Sequence, residues 1–458
     1  MADEFTFDRL ALVVQAIANT LKENGSLSGG VVVGYDTRFL SRAFAEKAAE
    51  VLSSNQIPVF LASRDVPTPC ISFAILHRKA LGGINLSASH NPPEYGGIKF
   101  SPAYGGPAGV HVTKRIEAEI QKLLDGGKGL SRTASPSQVI SFDPAPPYLR
   151  QLRSTIDVKA LRKAKLNIVV DCLNGTSRGY LDRFLQPYTK KMEVLRATLD
   201  PMFGGKRPDP VKENLSGLIQ RVQKGRAALG LATDLDADRF GIVDRGGYFI
   251  PPNDVLSLVL DYLIETRPRA LSVARSLATT HRMDAIAKHH GLEVFETPVG
   301  FKYIGEILSK GECLLGGEES AGLSIRGHVP EKDGILACLL VAEMVARRRK
   351  SLREMMKTLT KRYGPFYATR LDLALTPSSK EKLLGRLASD SPDRIGLSRV
   401  SRCARTDGFK FYLERESWVL LRPSGTEPLI RVYLEGRSQK EVASLKKATE
   451  QLIRRLSA

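Results

Sequence analysis

Three times along the chain a short apolar run ends in a polar loop and gives way to helical apolar spacing. After a helical stretch at 10–21, the first run covers 31–38, and a helix follows over about 41–54 with Ser41 placed to cap it. A second strand is predicted at 57–62. The pattern restarts with a helix near 149–156 and a strand at 166–171, and again after Pro251-Pro252 with a strand at 271–274. Strand–loop–helix alternation predicts parallel sheets covered by helices on both faces. Such sheets present ligands at the carboxyl ends of their strands, where Asp36, Arg38 and the loop around Ser89 would lie. From Phe366 onward the character changes: 409–413, 418–421 and 430–435 read as antiparallel strands, and 438–456 as a closing helix. The predicted fold class is α/β: three similar mixed-sheet α/β domains plus a smaller C-terminal α+β domain. The Pro/Ser-rich stretch 131–147 reads as the linker closing the first domain. The expected domains are 1–145, 146–250, 251–365 and 366–458.

A chain of 458 residues, 42% hydrophobic and 26% charged, has the make-up of a globular enzyme with several cores. No apolar run reaches the roughly 20 residues of a membrane span. The opening Met1-Ala-Asp-Glu-Phe lacks the basic start and apolar core of a secretory signal. Cys70, Cys172, Cys313, Cys338 and Cys403 are odd in number and widely spaced, which suits reduced thiols in a cytoplasm better than disulfides or a zinc site. The net charge of +19 admits a nucleic-acid partner or an anionic substrate. Its basic residues are dispersed, densest at 346–353, and no nucleic-acid-binding motif accompanies them. Solvated helix faces account for most of the charge, so neither a nucleic-acid nor a membrane partner is expected.

Four loops carry chemistry. Leu86-Ser-Ala-Ser-His-Asn-Pro-Pro-Glu-Tyr-Gly-Gly-Ile-Lys-Phe100 presents one hydroxyl, Ser89, beside His90 and ahead of Lys99, in a turn stiffened by paired prolines. A hydroxyl so held can act as nucleophile or phosphate carrier if cations surround it. In Asp234-Leu-Asp-Ala-Asp-Arg239, three carboxylates alternate at the end of a strand-like run, 228–232, and are expected to converge on a hard divalent cation. An EF-hand is excluded, because Arg239 stands where glycine is required. Gly316-Gly-Glu-Glu-Ser-Ala-Gly322, after a strand at 312–315, offers carboxylates and a hydroxyl suited to a polyol. Arg422-Pro-Ser-Gly-Thr-Glu-Pro428, between two strands, forms an anion nest suited to phosphate, with Arg431 placed to add a second fork. Gly175-Thr-Ser-Arg-Gly179 matches the nucleophile elbow of hydrolases but finds no distinctive histidine later in the chain, and a Gly-rich βα turn is the preferred account. No Walker motif and no GxGxxG occurs.

The order and wording of these four loops resemble the α-D-phosphohexomutase family, which includes phosphoglucomutases and phosphomannomutases. The resemblance runs from about Asp3 to the C-terminus. It implies four domains arranged around a central active-site cleft, with Ser89 carrying a phosphoryl group and Asp234, Asp236 and Asp238 holding one Mg²⁺ against it. Lys99 would be an acid/base or phosphate-stabilising lysine, His90 would adjoin the reacting serine, and Arg239 would border the site. Glu318 and Ser320 match sugar-hydroxyl contacts, and Thr297-Pro-Val-Gly300-Phe-Lys302 resembles the loop that touches the sugar. Arg422, Ser424, Gly425 and Thr426 match the distal phosphate clamp. The implied activity interconverts hexose 1-phosphate and hexose 6-phosphate through a hexose 1,6-bisphosphate, which also serves as activator, and the fourth domain is expected to move as the intermediate turns around. The wording of the 318–322 and 297–302 loops resembles glucose-phosphate mutases more than phosphoglucosamine mutases, so glucose is the sugar expected to be preferred, with mannose a second. The protein is expected to be a cytoplasmic monomer or weak dimer.

The family normally opens with Gly-Thr-Ser-Gly-x-Arg-Gly, and this chain begins with residues resembling those just after that segment. The resemblance therefore implies a natural start upstream of Met1, or else a truncated protein of weak activity. Three other functions stay open: a phosphoglucosamine mutase, a serine-nucleophile phosphatase using the same loops, and a silent sugar-phosphate-binding protein.

Overall fold

The computed structural model describes residues 4–23, 25–126, 139–267, 271–424 and 427–457. The chain divides into two compact units, one of residues 1–271 and 301–353, the other of 272–300 and 354–458.

In the first unit, β1 (Val31–Tyr35), β2 (Val59–Ala62), β3 (Gly82–Leu86), β4 (Ile98–Pro102) and β5 (Val139–Phe142) form a sheet of order β4-β3-β1-β2-β5. β1 is buried at every position, as a continuous Val-rich run in a sheet covered on both faces should be. Its pairings with β2 and β3 are parallel, and β3 pairs antiparallel with β4, setting Asn85 opposite Lys99. That hairpin carries the Ser89 loop at its tip. The expected linker at 131–147 is corrected here: Val139–Phe142 is the edge strand β5, and a helix spans Ala145–Thr155, while 131–138 lie outside the described residues. Pro146 and Pro147 sit in that helix's first turn, where a missing N–H costs nothing. Ser41 is likewise not a cap. Leu40 occupies the cap position with φ 64°, and the Ser41 hydroxyl donates to Asp36 at 2.7 Å.

β6 (Asn167–Asp171), β7 (Lys191–Leu195), β8 (Leu229–Thr233), β9 (Phe240–Asp244) and β10 (Tyr248–Ile250) form a second sheet, order β10-β9-β8-β6-β7. The antiparallel β8–β9 hairpin holds the 234–239 turn. The parallel pair β11 (Ser272–Ser276) and β12 (Val294–Thr297) belongs to the second unit. β13 (Cys313–Glu318) and β14 (Gly322–Ile325) make a hairpin in the first. The strand expected to stop at 315 thus runs on to Glu318. Its two glycines are sites of close helix approach rather than a loose loop: a Cβ would lie 2.3 Å from Ile304 at Gly316 and 2.5 Å from Leu256 at Gly317.

In the second unit, β15 (Tyr367–Ala374), β16 (Arg394–Ile395), β17 (Ser398–Ala404), β18 (Phe409–Leu413), β19 (Trp418–Pro423) and β20 (Leu429–Gly436) form an antiparallel sheet of order β15-β20-β19-β18-β17-β16. Helices Pro377–Ser389 and Gln439–Ser457 bury Leu383, Leu387, Leu445, Leu452 and Ile453 in its core, as the period of the closing helix predicts. Lys410 is fully buried and ties β18 to the 272–300 segment, donating to the Leu277 carbonyl at 2.8 Å and to Glu296 at 2.7 Å. Burial, reinforced by Arg275, pushes its pKa down to about 7.

The helix Gly334–Arg348 is buried from Gly334 to Ala346, and Asp333 caps it by accepting from the Leu336 N–H at 2.8 Å. The other Asp333 oxygen receives the Tyr148 hydroxyl and faces His328 Nε2, both at 2.6 Å. Asp333→Ala removes the cap and leaves two buried polar groups without a partner, so urea unfolding is expected to show a loss of about 2–4 kcal/mol. An unchanged midpoint would mean that this network carries no stability.

Candidate active site

Ser89 sits at φ 51°, a left-handed conformation that costs a non-glycine residue roughly 1–2 kcal/mol. Arg38 holds the loop in that shape. Its guanidinium donates to the carbonyls of Ser89 (2.7 Å), Asn91 (2.6 Å), Pro92 and Tyr95 (3.1 Å), and its Nε donates to Asp36 (3.2 Å). The Ser87 hydroxyl accepts the Ser89 N–H at 2.9 Å. The Ser89 hydroxyl is then aimed at Asp234, 3.1 Å away, with His90 Nδ1 at 3.3 Å. Burial, with Arg239 close by, pushes His90 down to about 3, so its imidazole is neutral at pH 7.

Asp234, Asp236 and Asp238 converge as expected, with ligand oxygens within 4.8 Å of one another. The expected cause is corrected. They lie beyond the end of β8, on a turn in which Ala237 takes φ 57°, so the turn brings them together and strand alternation does not. Lys99 donates to Asp236 at 2.6 Å and Asp238 at 3.2 Å, and Lys332 to Asp238 at 3.0 Å. The Thr68 hydroxyl donates to Asp236, and the Arg239 N–H to Asp234 at 3.0 Å. Burial and the two neighbouring carboxylates push Asp234 well above the usual range. Burial opposes the charge on Lys99, but Asp236 and Asp238 outweigh it and hold the pKa above its ordinary value. One oxygen each of Asp236 and Asp238 is buried without a hydrogen-bond partner. Three carboxylates with lone pairs to spare fit a hard divalent cation, which would take oxygen ligands from the triad.

The Gly175–Gly179 motif proves to be a support for this turn. The Leu235 carbonyl accepts from Thr176 N (2.7 Å) and Oγ1 (3.0 Å), Ser177 is fully buried, and a Cβ at Gly175 would lie 2.5 Å from that same carbonyl oxygen. The glycine admits the metal-loop backbone, and the motif exposes no nucleophile. Glu318 is buried at the end of β13, and Ser320 lies in the turn beyond it, whose Ala321 carbonyl accepts the Phe240 N–H next to Arg239 (3.1 Å). That bond brings the polyol loop beside the acidic turn. Arg239 itself lies 3.8 Å from Asp209. Lys302 lies in the first turn of the helix Phe301–Ser309 with its ammonium 5.1 Å from the Tyr303 ring.

The second unit holds the remaining residues. Thr297 ends β12, Gly300 has φ 128°, and the Val299 N–H between them donates to Asp407 at 3.0 Å. Arg422 stands directly opposite Arg431 on the β19–β20 pair. Arg422 Nε donates to Asp407 at 2.8 Å, and Arg431 to Glu427 at 2.9 Å. Facing like charges are unfavourable across strands unless anions meet them; Asp407 and Glu427 do so here, and two neighbouring guanidinium groups also offer the forked donors that suit a phosphate. Ser424 is buried and its hydroxyl accepts the Glu427 N–H at 3.2 Å, while Lys380 donates to the Ser424 carbonyl at 2.5 Å. Gly425 and Thr426 lie outside the described residues.

Lys332, Thr68 and Asp407 were not singled out from the sequence. Lys332 had one visible sign, a charged run Glu331-Lys-Asp333 just ahead of an apolar helix, whereas Thr68 and Asp407 sit in ordinary loop composition.

A loop serine beside a buried carboxylate triad, on α/β domains followed by a smaller antiparallel one, defines an enzyme of the phosphohexomutase class. The chain belongs to the phosphoglucomutase/phosphomannomutase family, matching its alpha/beta/alpha domains I, II and III over residues 1–125, 146–247 and 251–363 and its C-terminal domain over 380–452. The three-plus-one fold class expected from the sequence therefore holds. A phosphoglucomutase of Komagataeibacter xylinus is 30% identical over 97% of this chain and 86% of that protein. A phosphoglucomutase/phosphomannomutase of Thermococcus kodakarensis is 30% identical over 96% of this chain and 93% of its own length. A Thermus thermophilus structure assigned as a phosphomannomutase superposes with TM-score 0.84 at 33% identity, covering 99% of this chain and 96% of that one.

Thr68→Val keeps shape but removes the hydroxyl that orients Asp236. Divalent-cation affinity, followed by Mn²⁺ titration, is expected to fall by about tenfold or more, as for other outer-shell partners of metal ligands. Unchanged affinity would place the cation away from Asp236.

Proposed function

We propose that this enzyme interconverts hexose 1-phosphate and hexose 6-phosphate, with glucose preferred and mannose accepted, by way of a phosphorylated Ser89. The observation that carries the reading is the Ser89 hydroxyl 3.1 Å from Asp234, within a buried triad that two lysines approach. Phospho-Ser89 gives its phosphoryl group to the free sugar hydroxyl: the Ser89 O–P bond breaks, an O–P bond to the sugar forms, and the hydroxyl proton leaves to a base. The resulting hexose 1,6-bisphosphate turns around and returns its other phosphoryl group to Ser89. The reaction is mostly electrostatic and positional, which suits a site built from fixed charges. Lys99 and Lys332 face the region where charge gathers on the transferring group, and Arg38 keeps the serine oxygen in line by holding four loop carbonyls. A single Mg²⁺ held by the triad would neutralise phosphoryl charge.

In the second unit, Arg422, Arg431, Ser424, Gly425 and Thr426 would take a phosphate that is not reacting, and Thr297 and Gly300 would contact sugar. In the first unit, Lys302, Glu318 and Ser320 are the residues proposed to contact sugar hydroxyls. Relatives named phosphoglucomutase support glucose as the first sugar to test. Hexose 1,6-bisphosphate would act as activator by charging Ser89. Unpaired thiols at Cys70, Cys172, Cys313, Cys338 and Cys403 suit a cytoplasmic setting, and the working form is taken to be a monomer or weak dimer.

The test is formation of glucose 6-phosphate from glucose 1-phosphate with Mg²⁺ and a trace of glucose 1,6-bisphosphate. Release of inorganic phosphate instead would favour a phosphatase, and turnover only with an amino sugar would change the substrate. Ser89→Ala is expected to abolish both turnover and ³²P incorporation; near-normal turnover would remove Ser89 from the mechanism. Arg422→Ala is expected to raise KM about tenfold or more while kcat changes little, because it serves the non-reacting phosphate. A loss confined to kcat would contradict that assignment.

A further inference from the structure

One oxygen of Asp407 accepts two hydrogen bonds that come from different parts of the second unit. Arg422 Nε donates to Oδ2 at 2.8 Å, and the backbone N–H of Val299 donates to the same atom at 3.0 Å. Arg422 belongs to the phosphate nest on β19, and Val299 lies in the Thr297–Gly300 loop that follows β12. The Val299 side chain also packs against the buried cluster of Leu277, Ala278, Trp418, Leu420 and Tyr433. The loop is thus seated by an apolar contact and fixed in direction by a single carboxylate oxygen.

Asp407 is itself held in place. It lies in the β17–β18 turn, and the next residue, Gly408, has φ 89° and runs against β19, where a Cβ would lie 2.3 Å from the Leu421 carbonyl oxygen. Only glycine permits that approach, which brings the aspartate to the strand position next to Arg422. The ion pair runs through Nε, so the bond to Asp407 does not use the two terminal nitrogens that form the fork for an anion.

We propose that Asp407 is a positioning residue that registers the sugar loop against the phosphate-binding arginine. Resting on the hexose-phosphate reading above, this makes the carboxylate part of a gauge. It selects ligands in which a phosphate and a sugar hydroxyl are separated as in a hexose phosphate, and it is indifferent to phosphate alone. An anion beside an anion site is otherwise counterproductive, since it offsets part of the guanidinium charge. A carboxylate at this position makes sense if orientation matters more than charge.

The experiment compares wild type, Asp407→Ala, Asp407→Asn and Arg422→Ala, alone and combined, in the mutase assay and in inhibition by inorganic phosphate. Thermal melting of each variant provides a check on folding. For Asp407→Ala, KM for glucose 1-phosphate is expected to rise about tenfold with kcat within about threefold of wild type. Its inhibition by inorganic phosphate should change less than about threefold, because freed positive charge offsets lost orientation. Asp407→Asn keeps an oxygen for Val299 and should fall between the two, and in the Arg422→Ala background it should cost less than about twofold more. A loss of inorganic-phosphate binding equal to the loss for glucose 1-phosphate, or full additivity with Arg422→Ala, overturns the role of Asp407. So does an Asp407→Ala enzyme that matches an active wild type. A wild type that neither turns over nor binds hexose phosphate overturns the reading of the site, and the inference falls with it.

Discussion

Three carboxylates buried within 4.8 Å of one another set the terms for the first unit. In a site withdrawn from water, like charges at that range repel far more strongly than at a surface. Their arrangement holds only because cations arrive from elsewhere in the chain. Lys99 comes on β4 and Lys332 from the loop after β14, and each ion pair requires its own hairpin to be in register. A one-residue slip of β4 against β3 would turn Lys99 to the opposite face of the sheet. The functional residues and the fold therefore stand or fall together, and the buried charge acts as a check on correct pairing.

The same device recurs at the serine loop and in the second unit. Asp36 and Arg38 form a buried pair whose remaining donors bind loop carbonyls, so a strained serine conformation is held by hydrogen bonds from a rigid strand end. Arg422 and Arg431 face each other with one carboxylate apiece, Asp407 and Glu427. In each case a cation is held in place before any ligand arrives, so little side-chain entropy remains to be lost on binding. Phosphoryl transfer gains most from such fixed charges, because the protein contributes positions and fields more than covalent chemistry.

Much of this was legible in the residues. The alternation of apolar runs with helical spacing indicated the α/β units, and the shift after Phe366 indicated the antiparallel end, because side-chain periodicity is a local property of strand and helix. The serine loop, the triad, the polyol loop and the phosphate nest were each visible as chemistry clustered in a few adjacent residues. What local pattern does not carry is context. The stretch 139–142 looked like linker because prolines surround it, yet it pairs with β2 as an edge strand, and edge strands tolerate such neighbours. Gly316 and Gly317 looked like a loop because their packing role depends on Ile304 and Leu256, which no local pattern links to them. The Gly175–Gly179 motif has the spelling of a nucleophile elbow, yet the Gly-rich βα turn preferred for it is what the chain forms. Its Thr176 instead holds the Leu235 backbone, and its buried Ser177 accepts the hydroxyl of Thr233.

Residue order alone establishes which groups are available and roughly where each sits along its element: a hydroxyl, a carboxylate triad, a sugar-type loop and an anion nest, each within a few residues. Which of them meet is settled by packing in three dimensions. Lys332 reaches Asp238, Thr68 reaches Asp236 and Asp407 reaches Val299 across long stretches of chain, while the bond from Arg422 to Asp407 is closer in sequence. Local pattern sets the face on which a side chain stands. Its partner depends on strand order and on how closely backbones pack, and those follow from the burial of whole sheets.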